Sequence, residues 1–376
     1  MKLDENSDQI TNIKLKDGEN VLPHSFATTV AFMGVSGVTD YIGLTITQLP
    51  SGQSVPTNEI LKANPYLQDF SGNNRPLKLN NFLFAAMSGV GGYDISSTNI
   101  LPDRANVTVT DNRIIHITKK LSTTDDMVNI VPANSNPTHK FKVTGLSDGR
   151  QVSLVNRNGG FYTFDNGEHE VTLTYPEGTT SLYNAIGVTG DIGDMDVTIE
   201  FLPKYPNALV TDGVDDYGVV ENFKSLQNYM MFFQCAITRP DTLNGMFSTT
   251  PIENGNNIMG WVLLQGNYAN SVRFGNNGYK NFGFTSSVKD KISYVLSANN
   301  GLMTCYVGEE KATLARTYQQ TGTNMSLFLS DSNNKARFGS MAFYKSILFD
   351  SVPTKETDGF TEQDLIDYVL ENLITK

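Results

Sequence analysis

The residues in this chain best suited to chemistry are carboxylates, and they come in two short clusters. Asp212, Asp215 and Asp216 lie within Asn207-Ala208-Leu209-Val210-Thr211-Asp212-Gly213-Val214-Asp215-Asp216-Tyr217, and Asp191, Asp194 and Asp196 lie just upstream. Closely spaced carboxylates have three common uses. They ligate Ca²⁺, which takes six to eight oxygens. They form an acid/base pair across a glycosidic bond. Or they accept backbone N–H groups and hold a tight turn, as Asp212 and Asp215 would around Gly213. Three carboxylates are too few for a calcium cage, and neither run ends in the bidentate Glu of an EF-hand. The turn is the expected role of both clusters, and no metal ligand, catalytic residue or cofactor site is assigned.

Other reactive groups are sparse. There is no Gly-x-Ser-x-Gly string and no Cys near a His. Gly89-Val90-Gly91-Gly92 lacks the Lys-Ser/Thr of a phosphate loop. His24, His116, His139 and His169, with Cys235 and Cys305, offer no zinc spacing. His116 sits in an alternating stretch and reads as a core or edge histidine. Cys235 and Cys305 sit in apolar, strand-like stretches and read as buried free thiols, with a single disulfide left open. Trp261, Tyr268 and Tyr279 could stack on a sugar while Asn257 and Asn276 bond its hydroxyls. Trp261 in Trp261-Val262-Leu263-Leu264 reads first as a core residue, so no glycan-binding residue is assigned.

The elements that must position these residues follow from composition and periodicity. The chain has 376 residues, a net charge of -11, 18% charged and 39% hydrophobic residues, and 37 Asn. The charged fraction is below the roughly 25% of ordinary soluble domains. Its polarity rests on amides and hydroxyls, and Asn suits turns because it tolerates left-handed backbone. An acidic chain with 28 basic residues is poorly suited to neutralising phosphates, so no nucleic-acid partner is expected. No apolar run reaches the roughly 20 residues of a membrane span, so no membrane insertion is expected. The N-terminus, Met1-Lys2-Leu3-Asp4-Glu5-Asn6, shows no secretory leader.

Four regions follow. Residues 1–55 read as an N-terminal attachment or oligomerisation arm, with two strands of an ordinary subdomain as the alternative for the small-residue stretch from Ala27 to Val38. Residues 56–103 read as a connector that could belong to a sandwich, with one helical turn at Asn58–Ala63 stopped before Pro65. Residues 104–203 alternate with period two, as in Val107-Thr108-Val109-Thr110 and Val197-Thr198-Ile199-Glu200-Phe201, and predict a β-sandwich. Asn158-Gly159-Gly160 and Asn166-Gly167 predict hairpins. Residues 204–376 predict a second all-β region, with strands such as Tyr229–Phe233, Met325–Leu329 and Arg337–Tyr344 separated by Asn-rich turns. One helix closes the chain. Thr361 is its N-cap, Phe360 and Leu365 form a staple, and Leu365, Ile366, Val369, Leu370 and Leu373 form an apolar stripe.

The string from Asn207 to Tyr217 resembles the opening of a laminin-G-like, concanavalin-A-like lectin domain, and Phe343-Tyr344 followed by the Thr361 helix resembles its close. The likeness covers about residues 205–376 and implies a jelly roll. Leu67-Gln68-Asp69-Phe70-Ser71-Gly72-Asn73-Asn74, together with this domain, is similar to surface and fibre proteins of phages infecting Bacteroides, including crAss-like phages. Ile10-Thr11-Asn12-Ile13-Lys14-Leu15-Lys16-Asp17-Gly18 is similar to their virion-attachment leaders. The resemblance implies an all-β chain of tandem β-sandwiches with a C-terminal laminin-G-like jelly roll, a terminal α-helix and an N-terminal arm. It also implies a non-enzymatic role in the virion as a head or tail fibre or capsid decoration protein. Such a protein would be made in the host cytoplasm and displayed on the particle. Its partners would be other virion proteins, further copies in a homotrimer, and host-surface glycan. A purely structural virion protein and a polysaccharide-degrading tailspike are the alternatives.

Overall fold

A computed structural model describes residues 2–3, 10–12, 28–33, 40–41, 44–45, 57–67, 69, 75–100, 106–121, 127–133, 137–147, 149–156, 160–175, 184–223, 228–239, 244–248, 262–265, 271–274, 280–315, 324–331, 336–349 and 351–371. The fold is all-β with short helices. The chain divides into two units, one of residues 1–84 and 207–376, the other of residues 85–206. The smaller unit is thus an insertion in the larger.

The larger unit is built on two antiparallel sheets. In the first, the order is Glu310–Ala315, Leu302–Val307, Ile292–Asn299, Tyr229–Ile237, Met341–Phe349, Leu209–Val210. Tyr229–Ile237 is buried at every position, as a central strand covered on both faces must be. Met341–Phe349 pairs with it along one edge. Its other edge takes Leu209–Val210 at one end and Thr28–Met33 at the other. Thr28–Met33 is therefore a strand of this sheet, not part of a free arm. The rest of the Ala27–Val38 stretch lies outside the described residues. The second sheet runs Lys280–Gly283, Ser271–Phe274, Val262–Gln265, Asn244–Ser248, Met325–Leu327, Tyr217–Val220, Leu77–Asn80, Tyr66–Leu67. Phe343 joins the layers: its ring lies 5.2 Å from Phe233 on its own sheet and 5.2 Å from Phe328, which follows a strand of the other.

Two strands differ from expectation for identifiable reasons. Met325–Leu329 breaks at Phe328, whose φ of 65° turns the backbone left-handed and sends the ring into the core. Its N–H goes to the Met246 carbonyl, so the break leaves no orphan donor. Ala336–Phe338 and Met341–Phe349 are separate strands, parted at Gly339 and Ser340. The terminal helix, Glu362–Val369, begins at the expected cap. Thr361 accepts from the Asp364 N–H, and the Asp364 carboxylate accepts from the Thr361 N–H, closing a capping box. Leu365, Ile366 and Val369 are buried. Tyr306 donates to Glu362 at 2.8 Å and ties the helix to the first sheet.

The smaller unit is a sandwich of two five-stranded antiparallel sheets. One runs Val107–Thr110, Ile114–Lys120, Gly193–Phe201, Thr138–Thr144, Gly167–Thr172. The other runs Phe161–Phe164, Gln151–Asn156, Asn184–Thr189, Met127–Pro132, Ile95–Ile100. Ile115, Ile117, Phe141, Val143, Val152, Leu154, Ile186, Val197 and Ile199 fill the space between them. The unit begins before residue 104 because Ile95–Ile100 is an edge strand of the second sheet. Gln151–Asn156 and Phe161–Phe164 pair as the expected hairpin. Asn166-Gly167 does not close one: the strands on either side lie in opposite sheets. Asn166 instead pairs like a backbone unit with Leu146, accepting its N–H and donating to its carbonyl, both at 2.9 Å.

Candidate functional site

The acidic cluster sits at a corner of the larger unit. Leu209–Val210 belongs to one sheet and Tyr217–Val220 to the other, so residues 211–216 carry the chain across the sandwich. Thr211 anchors the near side. Its hydroxyl donates to the Gly339 carbonyl at 2.6 Å and accepts from the Met341 N–H at 3.1 Å. The chain then turns at Gly213, with φ of 75°. A Cβ there would lie 2.7 Å from the Cβ of Ser340.

Two carboxylates hold the corner. Asp212 accepts from the Val214 N–H at 2.7 Å, closing a two-residue loop over Gly213. Asp216, fully buried, accepts from the Asp212 N–H at 2.9 Å. Asp215 is exposed, and its carbonyl rather than its carboxylate is engaged, accepting from the Asn81 amide at 3.1 Å. Turn-holding thus falls to Asp212 and Asp216, where the spacing had suggested Asp212 and Asp215. One carboxylate oxygen from each of the three lies within 4.8 Å of the others. It is the one such group of three or more metal-ligating side chains brought together among the described residues. With one oxygen each of Asp212 and Asp216 committed to backbone N–H groups, the set falls short of the six to eight that Ca²⁺ takes.

Behind the corner lies a polar network without a local sequence signal. Asn244, fully buried, accepts from the Ser340 N–H at 2.7 Å and donates to the Arg239 carbonyl at 2.9 Å. Ser340 and Thr238 share a hydroxyl–hydroxyl bond of 2.7 Å. Asn244 and Ser340 are 96 positions apart, so only the fold brings them together.

The other candidates are dispersed. Asp194 pairs with Lys119 at 3.3 Å and Asp196 with His116 at 2.6 Å. The backbone carbonyls of Asp191 and Asp194 accept from the guanidinium of Arg150 at 3.2 and 2.9 Å. A side-chain cation of the protein itself therefore occupies that loop. Gly91 and Gly92 present carbonyls, not N–H groups, to their neighbours: they accept from Tyr205 and Lys204 at 2.8 Å each. A phosphate cradle needs the reverse.

Cys235 and Cys305 are both free and buried. Cys235 lies opposite Ile292 and Cys305 opposite Leu296, on either side of the same strand. A whole strand and four residues of offset part them, far beyond the ~6 Å Cα separation that a disulfide needs. Burial pushes the Cys305 thiol up to about 12 and Cys235 higher still. Tyr294, held between them on that strand, is raised well above the ordinary phenol value by the same burial. His24, Trp261, Tyr268, Tyr279, Asn257 and Asn276 lie outside the described residues.

No family model matches the chain, and no curated protein matches it. Among solved structures, the CBM40 of the Ruminococcus gnavus IT-sialidase, bound to α2,3-sialyllactose, is similar over 35% of this chain and 80% of its own, at 15% identity and a TM-score of 0.31. Domain 4 of AbnA, a GH43 extracellular arabinanase from Geobacillus stearothermophilus, in complex with arabinotriose, matches over 44% of this chain and 77% of its own, at 12% identity and a TM-score of 0.33. A Bacillus licheniformis β-glucanase matches over 36% and 71%, at 11% identity and a TM-score of 0.27.

Proposed function

We propose that this chain is a virion surface protein, a head or tail fibre or decoration protein, that presents a lectin-like sandwich to glycans of the host surface and catalyses no reaction. The observation that carries this reading is the structural fate of the Asp212–Tyr217 string, on which the resemblance to laminin-G-like lectin domains rests. It forms the corner between two antiparallel sheets, where a jelly roll changes sheets. Its carboxylates fit binding or scaffolding better than hydrolysis. An acid/base pair must exchange protons with substrate and water, whereas Asp216 is fully buried and bonded to the Asp212 N–H.

The remaining parts of the proposal follow from the same resemblance. Attachment runs through the N-terminal residues, and the chain forms a trimer, since symmetric multivalent display offsets weak single-site sugar binding. Particles purified from the phage that encodes this chain test the assignment. Tryptic peptides of the chain at a stoichiometry of several copies per particle are expected. Their absence from intact, purified virions would overturn it.

A further inference from the structure

The two ends of the smaller unit meet at a buried charge. Asp94, 5% exposed, follows the incoming Gly91-Gly92 turn, and Lys204 lies on the outgoing chain. The Lys204 ammonium reaches the Asp94 carboxylate at 2.8 Å, and the same oxygen accepts the Thr138 N–H at 3.1 Å. Backbone bonds run alongside: Lys204 N–H to the Gly92 carbonyl and Tyr205 N–H to the Gly91 carbonyl, both 2.8 Å. Gly91 is needed there, since with φ of 78° an added Cβ would lie 2.6 Å from Pro203.

His139 lies beside this junction. It is 2% exposed, and neither ring nitrogen has a hydrogen-bond partner among the described residues. Across the sheet it faces Val171, and the Phe201 ring stands edge-on at 5.7 Å. The charged group that acts on it is Asp94, which also faces Lys204 and the Tyr205 phenol. Lys140 and Glu170, paired at 3.0 Å, lie on the opposite face of the sheet, and the next titratable side chain on the face of His139, His169, is turned to Phe141, Phe164 and the Asp165 carbonyl. Buried with both nitrogens unmatched, the neutral imidazole makes no hydrogen bond in its position. Once protonated it has two donors to satisfy, and Asp94 is the anion at hand.

We propose that Asp94, Lys204 and His139 form an acid-operated latch, in which protonation of His139 competes with Lys204 for Asp94 and releases the outgoing Pro203–Pro206 segment from the Gly91-Gly92 turn. The step is a proton equilibrium: His139 gains one proton from solvent and no bond other than hydrogen bonds changes. The reading stands apart from the glycan proposal, because it concerns only the smaller unit's own ends.

Burial lowers the imidazole from its ordinary 6.5 to about 4. If the released state restores the ordinary value, linkage makes opening about 100-fold more favourable at pH 4 than at pH 7. Hydrogen exchange on the full chain reads this directly, after correction for intrinsic rates. The Lys204 and Tyr205 amides should lose about 100-fold protection between pH 7 and pH 4, and at both values they should be far less protected than amides of the Ile114–Lys120 strand, which open only when the whole unit unfolds. His139→Gln should abolish the pH dependence at Lys204 and Tyr205, and Lys204→Met should lower their protection already at pH 7. Protection at Lys204 and Tyr205 that does not change with pH would overturn the latch. So would protection at Lys204 and Tyr205 equal to that of the Ile114–Lys120 strand in the wild-type chain, which would mean that the ends open only with the whole unit and needs no variant to be seen.

Discussion

Replacing Gly213 by alanine tests whether the Asp212–Asp216 corner is a structural element. Two costs add. Gly213 has φ of 75°, where a Cβ costs roughly 1–2 kcal/mol. The new methyl would also stand 2.7 Å from the Ser340 Cβ. Ser340 has little room to yield. Its N–H is bonded to Asn244 at 2.7 Å, its carbonyl to the Thr238 N–H at 2.9 Å and its hydroxyl to Thr238 at 2.7 Å. Overpacking against a fixed neighbour adds about 1–3 kcal/mol, so the expected loss is about 2–5 kcal/mol in the larger unit. Gly308→Ala is the control: φ is 59° and nothing lies within 4 Å of the added Cβ, so it should cost only the backbone share of roughly 1–2 kcal/mol. Urea titration followed by hydrogen-exchange protection of the Tyr229–Ile237 amides reads both. A loss below about 0.5 kcal/mol for Gly213→Ala, or one equal to that of Gly308→Ala, would refute the reasoning.

Further outcomes follow from the same structure. Asp216→Ala leaves the Asp212 N–H without its carboxylate and should cost about 2 kcal/mol equally with millimolar Ca²⁺ or with chelator; a loss that appears only with Ca²⁺ would make the corner a metal site. Cys235 and Cys305 should stay unreactive to a thiol reagent in the native chain and both react in denaturant, and reductant should not move the Tm. Acid should weaken the smaller unit through His139. Its folded value near 4 lies below the ordinary 6.5, so the neutral ring's advantage is intact above pH 6.5 and lost as pH falls towards 4, by about 3 kcal/mol at roughly 1.4 kcal/mol per unit. In His139→Gln that loss should disappear from pH-dependent urea titrations. Light scattering should give three times the chain mass; a stable monomer at micromolar concentration would remove the trimer.

Local signals were legible where one residue settles the local backbone. Thr361 capped the last helix because its hydroxyl and Asp364 satisfy each other's N–H groups. Asn300-Gly301 made a tight hairpin turn because both residues accept positive φ, 46° and 83°. Strand alternation marked one sandwich, since strands such as Ile114–Lys120, Thr138–Thr144 and Gly193–Phe201 bury mainly one face. What was not legible is long-range. Ile95–Ile100 carries Ser and Thr between its apolar residues and shows no clear period, because it is an edge strand. Asn166-Gly167 has the chemistry of a hairpin, and only the sheet assignment reveals a crossing. At the corner, spacing announced a turn, but burial decided that Asp216 rather than Asp215 holds it. Asn244, Thr238 and Ser340 gave no signal at all, since their bonds join segments about a hundred residues apart.

Glycan presentation is tested most directly by binding of the full chain to an array of bacterial surface polysaccharides and host-derived oligosaccharides. Saturable binding to a defined set of sugars is expected, competed by the free sugar and leaving the sugar chemically intact. A folded chain that binds no glycan above background would contradict the proposal, and sugars released from the array would make the protein a hydrolase instead.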